Sequence, residues 1–497
     1  MPEATLPRGP LAAALGALAF AAALWLTCPP GPGLTPDGMS YLGAAESWAG
    51  GHGLRVPYAA WSDSDSTSPL RVFPPAFPLA IGLTVRLGAT PIQGARLVEA
   101  VAAGTMVATV VWLLSALTGS GAAVLGAAAV MLTPAIVADH SAVLSEPLFL
   151  ACLVLALWRM TLAPDRPLGY GLAAGAATLV RYAGLSLTAA CTLWAVLQPG
   201  TARDRLRRAA LAALPSVLLF GAWIVRTELV ARRLPASLVR PGLRLGALLG
   251  EAGLAVGTSA APYLEDTRWL APASALVLTL LVLLLVRHRP DGTSRDSRAL
   301  YRVVGLFAAC YLGVIAFSRA FVGHTIPFDD RILSPLVLAC ELLVVVALAQ
   351  GWSRWRAPGR VVTVAAAGAW LAGAALSLHG TVQDLRENGY DFDRDLRSGS
   401  QTLQWLRSGA AGRAVFTNHP VPIYFLLHRA SRVLPTSLAP DTLRALDGML
   451  ARQPSVLVGF DDNSWEPLIW PAALASRLHV HEVARLTGGV IWVTGEP

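Results

Sequence analysis

A chain of 497 residues with 54% hydrophobic and only 14% charged side chains cannot clothe itself as a soluble globule, which needs about 25% charged residues. The formal net charge is +8, all 39 basic residues are Arg, and the mean hydropathy is +0.54. A nucleic-acid partner is not implied, because the Arg residues gather in short islands between long apolar runs, as the positive-inside rule places them.

Runs long enough to cross a bilayer as helices predict a polytopic α-helical membrane protein with about eleven spans. In chain order they cover 10–27, 94–117, 121–138, 146–160, 168–182, 184–198, 209–228, 271–286, 302–318, 335–350 and 361–378. Leu26-Thr27-Cys28-Pro29-Pro30 offers no A-x-A cleavage site, so the first run reads as a retained span. A polar, Pro-rich segment follows, 28–93, and its apolar piece Phe73–Leu87 holds Pro74, Pro75 and Pro78, which suits a helix lying at the interface. The stretch 168–198 is short for two spans and reads as two short or re-entrant helices. Gly171 and Gly175 form a Gly-x-x-x-Gly pair that suits close helix packing.

Arg islands at 203–208, 287–302 and 354–360 belong in the cytoplasm, which puts the N-terminus inside and the C-terminus outside. Arg232, Arg233, Arg240, Arg244 and Arg268 in the outer 229–270 loop run against that rule. Residues 1–378 then form the transmembrane module. In 379–497, short apolar strands (Ala414–Thr417, Ser455–Gly459, Gly489–Val493) alternate with helical stretches such as 394–408, predicting a small extracytoplasmic α/β domain. Four of the five cysteines lie in apolar runs, and no disulfide framework is expected.

Four polar clusters sit at the outer ends of these runs. Asp37, in Thr35-Pro36-Asp37-Gly38-Met39-Ser40-Tyr41, can take a proton from an attacking hydroxyl, or can simply cap a helix that begins at Gly38. Glu146, in Ser145-Glu146-Pro147, suits a helix start, yet a carboxylate at the edge of hydrocarbon is costly and marks a candidate site. Arg181 can snorkel to the interface, or its fork can hold a lipid phosphate. His324, Asp329, Asp330 and Arg331 fit phosphate or sugar contact, or a solvated loop with internal pairs. No Walker motif, Rossmann fingerprint or zinc-type spacing is present, and no cofactor or metal is indicated.

The order of the motifs adds a resemblance. A first span, the opening Asp37…Tyr41, Gly50-Gly51-His52-Gly53, Phe73-Pro74-Pro75-Ala76-Phe77-Pro78-Leu79, Ala95-Arg96-Leu97, Ser145-Glu146-Pro147-Leu148-Phe149 and Leu179-Val180-Arg181-Tyr182 follow one another. This series resembles the GT-C class of membrane glycosyltransferases, in the bacterial branch similar to protein O-mannosyltransferases and the lipid A aminoarabinose transferase. The likeness extends over about residues 10–350. It implies an enzyme of the bacterial inner membrane that moves a sugar from polyprenyl phosphate to a glycan, lipid or protein acceptor, with inversion. It also implies Asp37 as the base and Arg181 and Arg331 as phosphate ligands, with Tyr41, Glu146, His324, Asp329 and Asp330 around the substrate. Gly38 stands where some members carry a second acid, so that acid has to come from Glu46, Asp63, Asp65 or Asp329. A lipid flippase or transporter without transfer chemistry is the alternative. It predicts ionisable groups near mid-membrane and internal repeats.

Overall fold

The computed structural model describes residues 8–28, 31–231, 295–321, 329–352, 356–388, 401–435, 437–461 and 471–494. The predicted span 271–286, most of the 229–270 loop, and His324 lie outside the described residues. The chain divides into two compact units, one of Met1–Pro29, Arg71–Phe77 and Ala95–Asp384, the other of Pro30–Leu70, Pro78–Gly94 and Leu385–Pro497.

The first unit is helical. Six described helices are long and apolar enough to cross a membrane, or seven if one bent pair counts as a span. The long ones are α1 (Arg8–Leu26), α4 (Pro91–Leu117), α10 (Ala202–Ala231), α11 (Arg295–Phe321), α12 (Asp330–Trp352) and α13 (Ala357–Asn388). Between them come α7 (Glu146–Leu162), α8 (Pro167–Val180) and α9 (Gly184–Leu197). At 14 residues each, α8 and α9 reach only about 21 Å, short of a bilayer's hydrocarbon.

The expected single span 121–138 is broken instead. The structure has α5 (Ser120–Leu132) and α6 (Pro134–Ser141), bent by 55°. Pro134 is the cause, since the residue before a proline is pushed out of the helical region, and Thr133 sits at φ −63°, ψ 121°. The interior of this unit joins Met106, Val110, Phe149, Leu153, Tyr170, Phe307, Leu338 and Leu342 into one apolar core.

Small residues set the helix contacts. A Cβ on Gly171 would stand 2.5 Å from the Ala212 carbonyl oxygen, and one on Gly175 would stand 3.1 Å from Pro215. The Gly-x-x-x-Gly pair therefore packs α8 on α10. Gly16 and Gly104 do the same where α1 meets α4, each facing the other's carbonyl within 3.0 Å. Because the obstacle at Gly171 is backbone, Gly171→Leu is expected to separate the two helices. A loss of about 1–3 kcal/mol or more follows, read as an earlier thermal unfolding midpoint in detergent. An unchanged midpoint would refute the packing role.

The second unit holds α2 (Pro36–Ala49), most of α3 (Ala76–Arg86) and a six-stranded sheet. Its strands are β2 (Tyr58–Ala60), β4 (Ala414–Thr417), β5 (Ser431–Val433), β6 (Ser455–Phe460), β7 (His481–Leu486) and β8 (Gly489–Val493), in the order β2-β5-β4-β6-β8-β7. β2, β5, β4 and β6 run parallel, and β8 and β7 close the sheet as an antiparallel hairpin. β1 (Arg55–Val56) and β3 (Ser68–Pro69) form a separate antiparallel pair.

Every residue of β6 is buried, as expected of a strand covered on both faces. Val456, Val458 and Phe460 meet Leu403, Leu406 and Ile423 on one side; Leu457 meets Leu446, Leu450 and Leu474 on the other. The three strands read from the sequence are β4, β6 and β8. The fourth parallel strand, β2, comes from the 28–93 segment and was not anticipated.

Candidate functional site

Three charged side chains converge in the helical unit. Glu146 occupies the first turn of α7, where Pro147 costs no hydrogen bond and the helix dipole favours an anion. Its side chain is 2% exposed and forms ion pairs with both Arg181 and Arg331. Arg181 terminates α8 in an extended conformation, φ −146° and ψ 142°, so its side chain leaves the helix axis; its Nη1 also donates to the Ser145 hydroxyl at 3.2 Å. Arg331 lies in the first turn of α12 and is 33% exposed. One carboxylate thus holds two guanidinium groups drawn from elements far apart in sequence.

The turn carrying Arg181 is itself braced. The Tyr182 hydroxyl accepts from Trp223 Nε1 at 3.1 Å and donates to the Arg71 carbonyl at 3.2 Å, while its ring stands edge-on to Phe220. Glu99 on α4 accepts the Leu144 N–H at 3.0 Å and so fixes the turn that leads into Ser145 and Glu146. Asp139 on α6 is 1% exposed, and Glu146, Arg331 and Arg181 are its charged neighbours. Ser334 lies beside it and donates its proton to the Arg331 carbonyl at 3.0 Å.

Glu99, Asp139 and Glu341 were not singled out in the sequence. Glu99 and Asp139 are buried close to Glu146, and Glu341 on α12 accepts the Thr133 hydroxyl. A lone acid within an apolar run is the signal that could have found Glu99 and Glu341; Asp139 lies one residue past the run 121–138.

The other candidates fall as follows. Asp329 caps α12, its Oδ1 accepting the Ile332 N–H at 2.9 Å. Asp330 begins that helix. Asp37 and Tyr41 belong to the second unit, on α2, where Tyr41 is 2% exposed. α2 starts at Pro36 rather than Gly38, and its cap is Thr35, whose hydroxyl accepts the Gly38 N–H at 2.9 Å. The capping role considered for Asp37 is therefore filled by another side chain, and Asp37 sits in the helix's first turn. Among the described residues, no group of three His, Cys, Asp or Glu side chains is arranged to hold a metal ion.

Residues 72–225 match the family model described as dolichyl-phosphate-mannose-protein mannosyltransferase. That segment contains Glu99, Asp139, Glu146 and Arg181. No curated protein matches the sequence. Among solved structures, the chain is similar to ArnT from Cupriavidus metallidurans bound to undecaprenyl phosphate. The TM-score is 0.62 at 13% identity, over 98% of this chain and 99% of that one. It is also similar to the arabinofuranosyltransferase AftD from Mycobacteria (TM-score 0.52, 15% identity), covering 99% of this chain but 40% of that one. A third likeness is to the Archaeoglobus fulgidus oligosaccharyltransferase tethered with an acceptor peptide (TM-score 0.51, 11% identity), over 98% of this chain and 74% of that one. The family likeness thus covers residues 72–225, and over almost its whole length the chain shares the helical membrane fold of these glycosyltransferase structures.

Proposed function

We propose that the chain moves a sugar from a polyprenyl-phosphate donor to an acceptor hydroxyl at the extracytoplasmic face of the bacterial inner membrane. The observation that carries this is the pair Arg181 and Arg331, which converge on one two-oxygen anion. Guanidinium forks of that kind match phosphate oxygens. The ArnT structure of the same fold is described with undecaprenyl phosphate bound, which supports a lipid-linked donor.

In this reading the acceptor oxygen attacks the anomeric carbon as the bond from that carbon to the phosphate oxygen breaks. The acceptor's proton passes to Asp37, and polyprenyl phosphate departs with the bonding electron pair. One direct displacement inverts the anomeric centre. Arg181 and Arg331 offset the charge that grows on the departing phosphate. Tyr41, Asp329, Asp330 and His324 surround the substrate in the same reading. It further assigns residues 1–378 to the transmembrane module with eleven spans and 379–497 to an extracytoplasmic domain, with the N-terminus cytoplasmic.

Arg181→Ala is expected to weaken donor binding about tenfold to a hundredfold, the worth of a charged hydrogen bond. Titration of the detergent-solubilised protein with a polyprenyl-phosphate sugar measures this, and an unchanged dissociation constant would remove Arg181 from the phosphate site. The buried Glu99, Asp139 and Glu341 favour a second reading, a flippase, because intramembrane acids often line transport paths. Sugar transfer in detergent micelles, where there is no membrane to cross, separates the two readings.

A further inference from the structure

The second unit clasps α2 at several points along its length. β2 pairs in parallel with β5, Tyr58 opposite Ser431 and Ala60 opposite Val433. The Ser431 N–H donates to the Pro57 carbonyl at 3.2 Å, the Trp61 N–H to Val433 at 3.0 Å, and Arg432 Nη2 to the Ser64 carbonyl at 2.6 Å. The C-terminal sheet thus holds residues 57–64 along its β5 edge. That segment in turn holds α2: the Tyr58 and Ser40 hydroxyls lie 3.4 Å apart, and Gly43 leaves room for the Pro57 ring, which a Cβ there would meet at 2.4 Å.

A second hold is direct. Tyr424, on the helix Pro420–Leu427 that follows β4, is 7% exposed, and its hydroxyl donates to Glu46 Oε2 at 3.0 Å. Burial, and then the negative charge of Glu46, push the Tyr424 phenol up from its ordinary range, so the proton stays on tyrosine and the bond keeps this polarity. On the far side, Arg86 lies 3.9 Å over the Trp48 ring and donates to the Trp48 carbonyl.

Glu46 and Asp37 share one rigid 14-residue helix. We propose that Tyr424 and Glu46 are positioning residues through which the C-terminal domain orients α2, and with it Asp37. This rests on Asp37 being the base, as proposed above. The C-terminal segment is then part of the catalytic frame, although its own side chains touch no reacting atom. Misplacement of about 1 Å can cost a hundredfold in rate, so losing one of several holds is expected to cost about tenfold.

The test uses four variants of the full chain, with kcat and donor KM measured for each. Tyr424→Phe and Glu46→Ala are each expected to lower kcat about tenfold with donor KM and the thermal midpoint unchanged. The double variant should be no worse than either single one. Glu46→Gln, whose amide oxygen still accepts the Tyr424 proton, should recover most of the lost rate, which a catalytic carboxylate at Glu46 would not allow. Wild-type kcat in Tyr424→Phe and Glu46→Ala, beside an inactive Asp37→Asn, would overturn the positioning role alone. Normal turnover by Asp37→Asn would overturn the base assignment and this inference with it.

Discussion

Asp37→Asn is expected to abolish sugar transfer, with kcat falling about a thousandfold, while the protein folds and binds donor as before. Asparagine matches aspartate in shape but cannot accept a proton as a base. General-base catalysis is worth about a hundred- to ten-thousandfold. The cap of α2 is Thr35, so the helix keeps its cap, and the loss of the carboxylate's attraction to the helix dipole costs about 0.3–1 kcal/mol. Turnover with a polyprenyl-phosphate sugar measures the first effect, and size-exclusion behaviour with the thermal midpoint measures the second. An Asn variant turning over near the wild-type rate would exclude Asp37 as the base.

Much of the fold is legible in the sequence because apolar runs and turn residues are local signals. The runs at 94–117, 146–160 and 335–350 are helices, and the apolar pieces at 414–417, 455–459 and 489–493 are strands. What is not legible is nonlocal or a matter of one residue's geometry. β2 is three residues long, and it becomes a strand only by pairing with Ser431–Val433, more than 370 positions later. Pro134 lies within an apolar run, and hydropathy does not register the bend it makes.

The candidate site shows the same division. Glu146, Arg181 and Arg331 each stand out singly as charges at the ends of apolar runs, but no pattern in the chain says that one carboxylate holds both guanidiniums. Glu99 was overlooked for the opposite reason: it is a single acid inside a run that reads as hydrophobic on average; Asp139 lies one residue past the run 121–138, and the meaning of both comes from neighbours on other helices.

The second large effect concerns Glu146. Removing one member of a buried ion pair strands the other, and Glu146→Ala strands two guanidiniums at once. Such a change costs about 3–5 kcal/mol when the remaining charge is fully buried. Arg181 is 17% exposed and Arg331 is 33% exposed, so the lower end, about 3 kcal/mol, is expected. Arg181→Ala should be milder, because Glu146 keeps Arg331. A single unfolding midpoint in detergent ranks the two variants, and equal midpoints would show that the triad contributes little to stability. The same experiment with added undecaprenyl phosphate asks more. A ligand that binds only the folded state raises its stability by mass action. In the wild type the phosphate competes with Glu146 for the two guanidiniums; in Glu146→Ala it meets them unopposed and supplies the missing negative charge. The rise in midpoint on adding undecaprenyl phosphate should therefore be larger in Glu146→Ala than in the wild type. A smaller rise would mean that Glu146 helps to build the phosphate site rather than occupying it.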